Sequence, residues 1–401
     1  MRIGIDCVRI DPSYVGGLNT FTLGLLGGFA TLSTTARFHL YVSEANQHVF
    51  EKFRNVKRFE TRVIPERLVS TNRRICRVAL LSSSSAFYKR ISDHVFEGVR
   101  KSMESDADIL YFPAPVLQFF NARKPTVLSM HDIQHVHHPE FFDWSRRLSR
   151  RITYGLSAQH ATYFQASSDF IKRDLLEHFP SISPHQIEVI REGVCLSDFS
   201  APISDSSSPT AYDLPSRYLL LPAQLWPHKN HVTVLKALKQ IEKQRGLRIP
   251  LIMTGARFST SSRIFDFIAK QQMNYVRYLG KVPFQDLREL YQRASLLVSA
   301  SLHESSSLPV LEAAASGIPI VASRIPPNEE LARTLQLNLF DPLSVDDLAR
   351  VILSIWQDEQ TASAQIEHNR ERIIDYSWQS AAERFMQLFE KIINSPDCCG
   401  N

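Results

Sequence analysis

The run His303-Glu304-Ser305-Ser306-Ser307-Leu308-Pro309-Val310-Leu311-Glu312 sets two carboxylates eight positions apart, flanking a serine-rich turn and the start of an apolar stretch. Pro309 suits the first turn of a helix, where its missing N–H is an orphan anyway, and a serine ahead of it can cap. The first N–H groups of such a helix, together with its dipole, make a site for a phosphate. Glu304 then lies in the loop at the mouth of that site, and Glu312 one to two turns into the helix. A carboxylate near a sugar, another near a ribose and a diphosphate between them suit a nucleotide-sugar. The same spacing also fits a capped surface helix with a solvated glutamate at each end, so the rest of the chain has to decide.

Short apolar runs recur along the sequence, each followed by a polar loop and a longer helical pattern. In the first half they predict strands over 2–6, 38–43, 109–112, 126–130, 162–166 and 187–190; in the second, over 218–221, 250–254, 276–279, 296–299 and 319–322. Strands alternating with helices argue for parallel, doubly wound α/β sheets. A chain of 401 residues exceeds the size at which one core stops growing. The serine- and proline-rich stretch 201–212 has the composition of a linker, which gives domains at 1–200 and 213–374. Ligands in open α/β sheets bind beyond the carboxyl ends of the strands.

Composition narrows the class. The net charge of +5 permits contact with an anionic surface without demanding it, and nothing calls for nucleic acid. Five cysteines with no metal-ligand spacing fit a reducing compartment. No apolar run is long enough to span a bilayer and no leader is evident at the N-terminus, so a cytoplasmic location is expected. Residues 71–101 mix seven basic side chains with apolar ones, and 146–151 add a second basic cluster. Two readings stand: contact with an anionic membrane, giving a peripheral protein on its inner face, or a solvated basic face. Ser82–Ser85 argue against one continuous helix there.

From Tyr218 to Pro342 the sequence resembles a retaining glycosyltransferase of family 4, with the two-domain GT-B fold. The matching stretches stand in order: Tyr218–Leu221 leading to Pro227-His228-Lys229-Asn230-His231, Leu251–Gly255, Val276–Val282, Leu287–Ser301, the Glu304…Glu312 motif, Gly317–Ser323 and Phe340-Asp341-Pro342. The first half is similar with less specificity, at Gly16-Gly17, His131-Asp132, Ser167-Ser168 and Glu192-Gly193-Val194. The resemblance implies an acceptor-side first domain, a nucleotide-sugar-binding second domain, and a final helix over 375–394 packing back on the first.

It also implies roles. Lys229 would neutralise the departing diphosphate and Glu304 would contact the donor sugar near the reaction centre. Glu312 would bind the ribose hydroxyls, and the N–H groups around Ser306, Ser307 and Leu308 would add fixed dipoles. Gly16 and Gly17 would let backbone approach a phosphate or acceptor, and His131 would lie near the donor sugar. The family commonly carries an arginine where this chain has Gln224, five residues before Lys229, so one phosphate-neutralising cation is missing; Arg257 is a candidate to replace it.

His135, His137 and His138 follow His131, but no cysteine or carboxylate pattern completes a metal site, so neither metal nor cofactor is expected. Asp106-Ala107-Asp108 reads as the entry to a strand. With no covalent nucleophile evident either, the resemblance implies direct transfer with retention, from a nucleotide-sugar to a saccharide or lipid-linked acceptor, in surface polysaccharide synthesis. The alternative is a non-catalytic GT-B subunit that binds nucleotide-sugar or glycan and acts in assembly.

Overall fold

A computed structural model describes residues 1–11, 16–200 and 212–395. The chain divides into two compact units, 1–193 with 378–401 and 194–377. The first holds a seven-stranded parallel sheet of order β3-β2-β1-β4-β5-β6-β7. Its strands are β1 (Arg2–Asp6), β2 (Arg37–Ser43), β3 (Phe59–Ile64), β4 (Ile109–Phe112), β5 (Thr126–Met130), β6 (Tyr163–Ala166) and β7 (Ile187–Val189). The second holds six parallel strands in the order β10-β9-β8-β11-β12-β13. These are β8 (Leu219–Pro222), β9 (Leu251–Thr254), β10 (Val276–Tyr278), β11 (Leu296–Ser299), β12 (Ile320–Ser323) and β13 (Asn338–Phe340). In each sheet the order reverses at the first strand, between β1 and β4 and between β8 and β11. These reversals are the switch points where doubly wound sheets open a crevice.

Alternation along the strands shows why both faces must be covered. Leu219 and Leu221 join Val234, Leu238 and Ile352 in one apolar layer, whereas Leu220 joins Leu290, Val310 and Ala314 in the other. Successive strand side chains point to opposite faces, so a strand apolar at every position needs helices on both sides. β3 and β13 were missed as strands in the sequence. Both are edges, and most of their side chains are partly buried or exposed. An edge strand needs no unbroken apolar run, which removes the signal.

The helix Trp378–Ile393 packs in the first unit against the helix Gly17–Thr31. Gly24 and Gly28, one turn apart, make the room: a Cβ on Gly24 would lie 2.2 Å from the Trp378 ring, and one on Gly28 would lie 2.1 Å from the Trp378 carbonyl oxygen. Residues 194–200, placed in the first domain from the sequence, belong to the second unit. Phe199 packs edge-on against Phe284 and Tyr291, and the Val194 N–H donates to the Tyr376 carbonyl at 2.8 Å. The proposed linker 201–212 lies, apart from Tyr212, outside the described residues.

The basic segment forms three helices, Glu66–Leu80, Ser85–Val95 and Glu97–Asp106, broken at the serines, where Ser83 has φ 55°. Arg100 leaves the basic face expected there, because it is buried and paired with Glu104 at 2.6 Å. No helix among the described residues is long and apolar enough to cross a membrane.

Candidate functional site

Lys229, Glu304 and the serine turn singled out in the sequence gather at the second unit's switch point. The chain leaves β8 through Gln224 to a single turn at Pro227–Lys229, and leaves β11 through Ser301 to Ser307. These loops are tied together, since the Leu302 N–H donates to the His228 carbonyl at 2.7 Å. Lys229 Nζ donates to Glu304 Oε1, and Ser301 Oγ donates to the same oxygen at 2.5 Å. Burial pushes the Glu304 carboxyl upward, but the charges of Lys229 and His228 and the hydrogen bonds from Lys229 and Ser301 outweigh it and hold it below the usual carboxylate range. Glu304 therefore stays an anion in a largely desolvated place.

Ser307 heads the helix Leu308–Ser316 in a left-handed conformation (φ 55°, ψ 51°). It does not cap as expected: its hydroxyl accepts nothing from the helix, and its Oγ, on a residue 1% exposed, has no hydrogen-bond partner. The Val310 and Leu311 N–H groups turn back to the Ser307 carbonyl. No described group accepts from the N–H groups of Ser306, Ser307 or Leu308. A helix start with buried donors and an orphan hydroxyl is built for an acceptor-rich ligand.

Glu312 lies one turn along, half-buried, and accepts from the Tyr291 hydroxyl at 2.6 Å. Burial raises its carboxyl to about 7, against the opposing pull of that hydrogen bond. Around Gln224, two loops meet: the Leu225 N–H donates to the Ala256 carbonyl at 3.0 Å, and Gln224 Oε1 accepts from the Trp226 indole at 2.9 Å. Arg257 is on the second of these loops, its guanidinium 3.8 Å from the Phe265 ring centre and 4.8 Å from that of Tyr278.

The other predicted residues belong to the first unit. His131 follows β5 and is held on both ring nitrogens, by the Pro113 carbonyl at 2.8 Å and by buried Glu192 at 3.5 Å, with Phe21 edge-on at 4.6 Å. Burial opposes its charge, yet Glu192 and the Pro113 carbonyl prevail and raise its pKa. An acceptor on each side of the ring favours the protonated imidazole, the direction in which its pKa is moved. Gly16 is the extended residue before the helix Gly17–Thr31, and a Cβ on Gly17 would meet nothing within 4 Å. Asp106 and Asp108 serve as ion-pair partners of Arg62 and Arg2.

Residues 206–372 match the family of glycosyl transferases group 1. The second unit is a group 1 glycosyltransferase domain. The chain is 26% identical over 268 residues to O-antigen chain mannosyltransferase B of Escherichia coli, a match spanning 66% of this chain and 70% of that protein. It is 25% identical to the MMP alpha-(1->4)-mannosyltransferase of Mycolicibacterium hassiacum, over 65% of this chain and 59% of that one. Among solved structures, Anabaena HepE in complex with UDP and glucose superposes with a TM-score of 0.72, at 17% identity, covering 98% of this chain and all of that one. WaaG, a glycosyltransferase involved in lipopolysaccharide biosynthesis, gives 0.67 at 16% identity, over 96% and 99% of the two chains. The fold shared with these structures is GT-B, with two Rossmann-like α/β units.

Three participants escaped the sequence reading. Ser301 and Tyr291 hold the two glutamates, but each reads as an ordinary residue of a strand end or helix. The third is Asp174, whose buried carboxylate lies against His137 and His178.

Proposed function

We propose that the protein transfers a sugar, with retention and without a metal ion in the transfer step, from a nucleotide-sugar to a saccharide or lipid-linked acceptor in surface polysaccharide synthesis. The observation that carries this reading is the Lys229–Glu304 pair beside a helix start whose first N–H donors have no acceptor among the described residues. As the glycosidic bond breaks, negative charge grows on the leaving diphosphate. Lys229 and the N–H groups of Ser306, Ser307 and Leu308 supply fixed positive ends for it, each such donor contributing about 3 kcal/mol in a transition state. Glu304, kept ionised, lies beside Lys229 and faces the sugar as its anomeric carbon turns cationic. Glu312 accepts from the ribose hydroxyls, and Arg257, on the loop that meets Gln224, takes over part of the missing arginine's charge. Mannose is the sugar to test first, since the curated relatives compared above are mannosyltransferases by name.

The same reading puts the enzyme at an anionic membrane. On the helix Glu66–Leu80 and the turn after it, Ile75, Val78 and Leu81 are exposed among Arg67, Arg74 and Arg77, with Val78 68% and Leu81 73% accessible. Apolar and basic groups on one amphipathic helix suit anionic headgroups.

The test is incubation with nucleoside diphosphate mannoses, glucoses and galactoses and simple mannoside acceptors, with the product's anomeric configuration read by NMR. Product with the donor's configuration is expected. An inverted product removes the retaining mechanism, and nucleotide binding with no transfer to any acceptor favours the assembly role.

A further inference from the structure

The fold brings together side chains that their spacing in the chain does not relate. His137 closes the short helix Gln134–His137 after β5, and Asp174 and His178 lie one turn apart on the helix Asp169–His178 after β6, the neighbouring strand. Asp174 is 4% exposed. Its carboxylate lies 2.8 Å and 2.9 Å from His137 Nε2 and 3.2 Å from His178 Nδ1. His178 Nδ1 also lies 2.9 Å from the Asp174 backbone carbonyl. The three side chains can each turn one ligand atom to a common point, with all of these atoms within 4.8 Å of one another.

We propose that His137, Asp174 and His178 bind a divalent transition-metal ion of the zinc class, which clamps the segment after β5 to the helix after β6. Two imidazoles and a carboxylate are a donor set for zinc and its neighbours and a poor one for magnesium or calcium, which take oxygen ligands. The spacing suits it. With bonds of about 2.0–2.1 Å, tetrahedral ligand atoms lie about 3.3 Å apart and two imidazole centres about 5 Å apart. The His137 and His178 ring centres are 5.4 Å apart, at an interplanar angle of 77°. Metal entry therefore asks His137 to draw back from the carboxylate by roughly half an ångström. Both histidines are about 30% exposed, which leaves the ion reachable and a fourth position for water. For His178 Nδ1 to bind the ion, the proton it now directs at the Asp174 carbonyl must shift to Nε2, the tautomer that metal-bound imidazole adopts.

The site is independent of the transfer chemistry assigned to Lys229 and Glu304, and it is tested with zinc alone. Full-length protein stripped with chelator is titrated with zinc chloride at pH 7.5 by calorimetry, beside His137→Ala and His178→Ala. One equivalent bound at micromolar affinity or tighter is expected, weakened at least tenfold in each variant, with a melting temperature that zinc raises only in the unsubstituted chain. Zinc K-edge absorption should show nitrogen and oxygen neighbours. Absence of stoichiometric binding, equal binding by both variants, or a sulfur shell pointing to the cysteines overturns the site and leaves the histidines as hydrogen-bond partners of a buried carboxylate. The metal-free circular dichroism of His137→Ala should match that of the unsubstituted chain and show that folding is intact, while its melting temperature falls because buried Asp174 loses one partner.

Discussion

The two sheets share one strand order over six strands, the first adding β7 at its edge, and each carries ionisable groups at the carboxyl ends of its strands, but these groups are held differently. In the first unit Asp6 is closed in by the Gln118 amide at 2.7 Å and the Val8 N–H at 3.1 Å, and His131 by Glu192 and the Pro113 carbonyl. In the second, Lys229 and Glu304 face one another while the neighbouring Ser307 hydroxyl and helix-start N–H groups have no partner among the described residues. Topology alone therefore does not make a ligand site. Polar groups already satisfied by protein stabilise the fold, and those left for a ligand define where binding occurs.

Substitution on the second side should cost catalysis most. Lys229→Ala and Glu304→Ala are each expected to lower kcat at least a hundredfold, with the circular dichroism unchanged, in line with the roughly 3–4 kcal/mol that a preorganised group supplies. On the first side the cost should fall on stability. His131→Ala leaves buried Glu192 without its partner, which costs roughly 3 kcal/mol. The raised imidazole pKa makes this contribution complete below about 6.5 and lets it fade as pH climbs through the folded value. Thermal melts from pH 6 to 9 should thus show the difference between His131→Ala and the unsubstituted chain shrinking upward. A variant with an unchanged melting temperature and lost activity would erase the distinction between the two units.

Glu312 sharpens it further. With its folded pKa near 7, the carboxyl contributes stability below the ordinary glutamate value, and this is lost as pH rises through 7. Glu312→Gln should therefore stabilise the protein at pH 8, by up to roughly 3 kcal/mol, and be near neutral at pH 5. The same change should weaken nucleotide binding at pH 8, a stability gain set against a functional loss. Ser301→Ala should lower kcat about tenfold with little change in KM, and Ser301→Thr should restore it, since one hydrogen bond to a charged group contributes about 1.5–3 kcal/mol. Gln224→Arg, which puts back the arginine common in the family, should tighten nucleoside diphosphate binding only a few-fold, because Arg257 already stands on the adjoining loop.

The sequence made the second unit's site legible because its residues sit in loops directly after strands that are apolar at every position, as Leu219–Leu221 and Leu296–Val298 are. The order of motifs then carried Lys229, Glu304 and Glu312 together. What stayed hidden depends on distance in the chain or on partial burial. His137 offered no metal signal because its carboxylate partner is 37 positions away. The edge strands β3 and β13 lacked unbroken apolar runs, and the roles of Ser301 and Tyr291 exist only once two loops and two helices have packed. Arg100, read as part of a basic surface, is drawn inside by Glu104, a pairing at helical spacing that charge counting overlooks.

The central claim, that Lys229 and the start of the helix Leu308–Ser316 form the donor's diphosphate site, is tested most directly by calorimetric titration of uridine, guanosine, adenosine and thymidine diphosphates and their sugars into the native chain and Lys229→Ala at pH 8. One base should bind, with affinity falling at least tenfold in Lys229→Ala and with a weaker salt dependence there. Equal affinity in the two proteins, or no binding of any nucleotide by the native chain, contradicts the assignment.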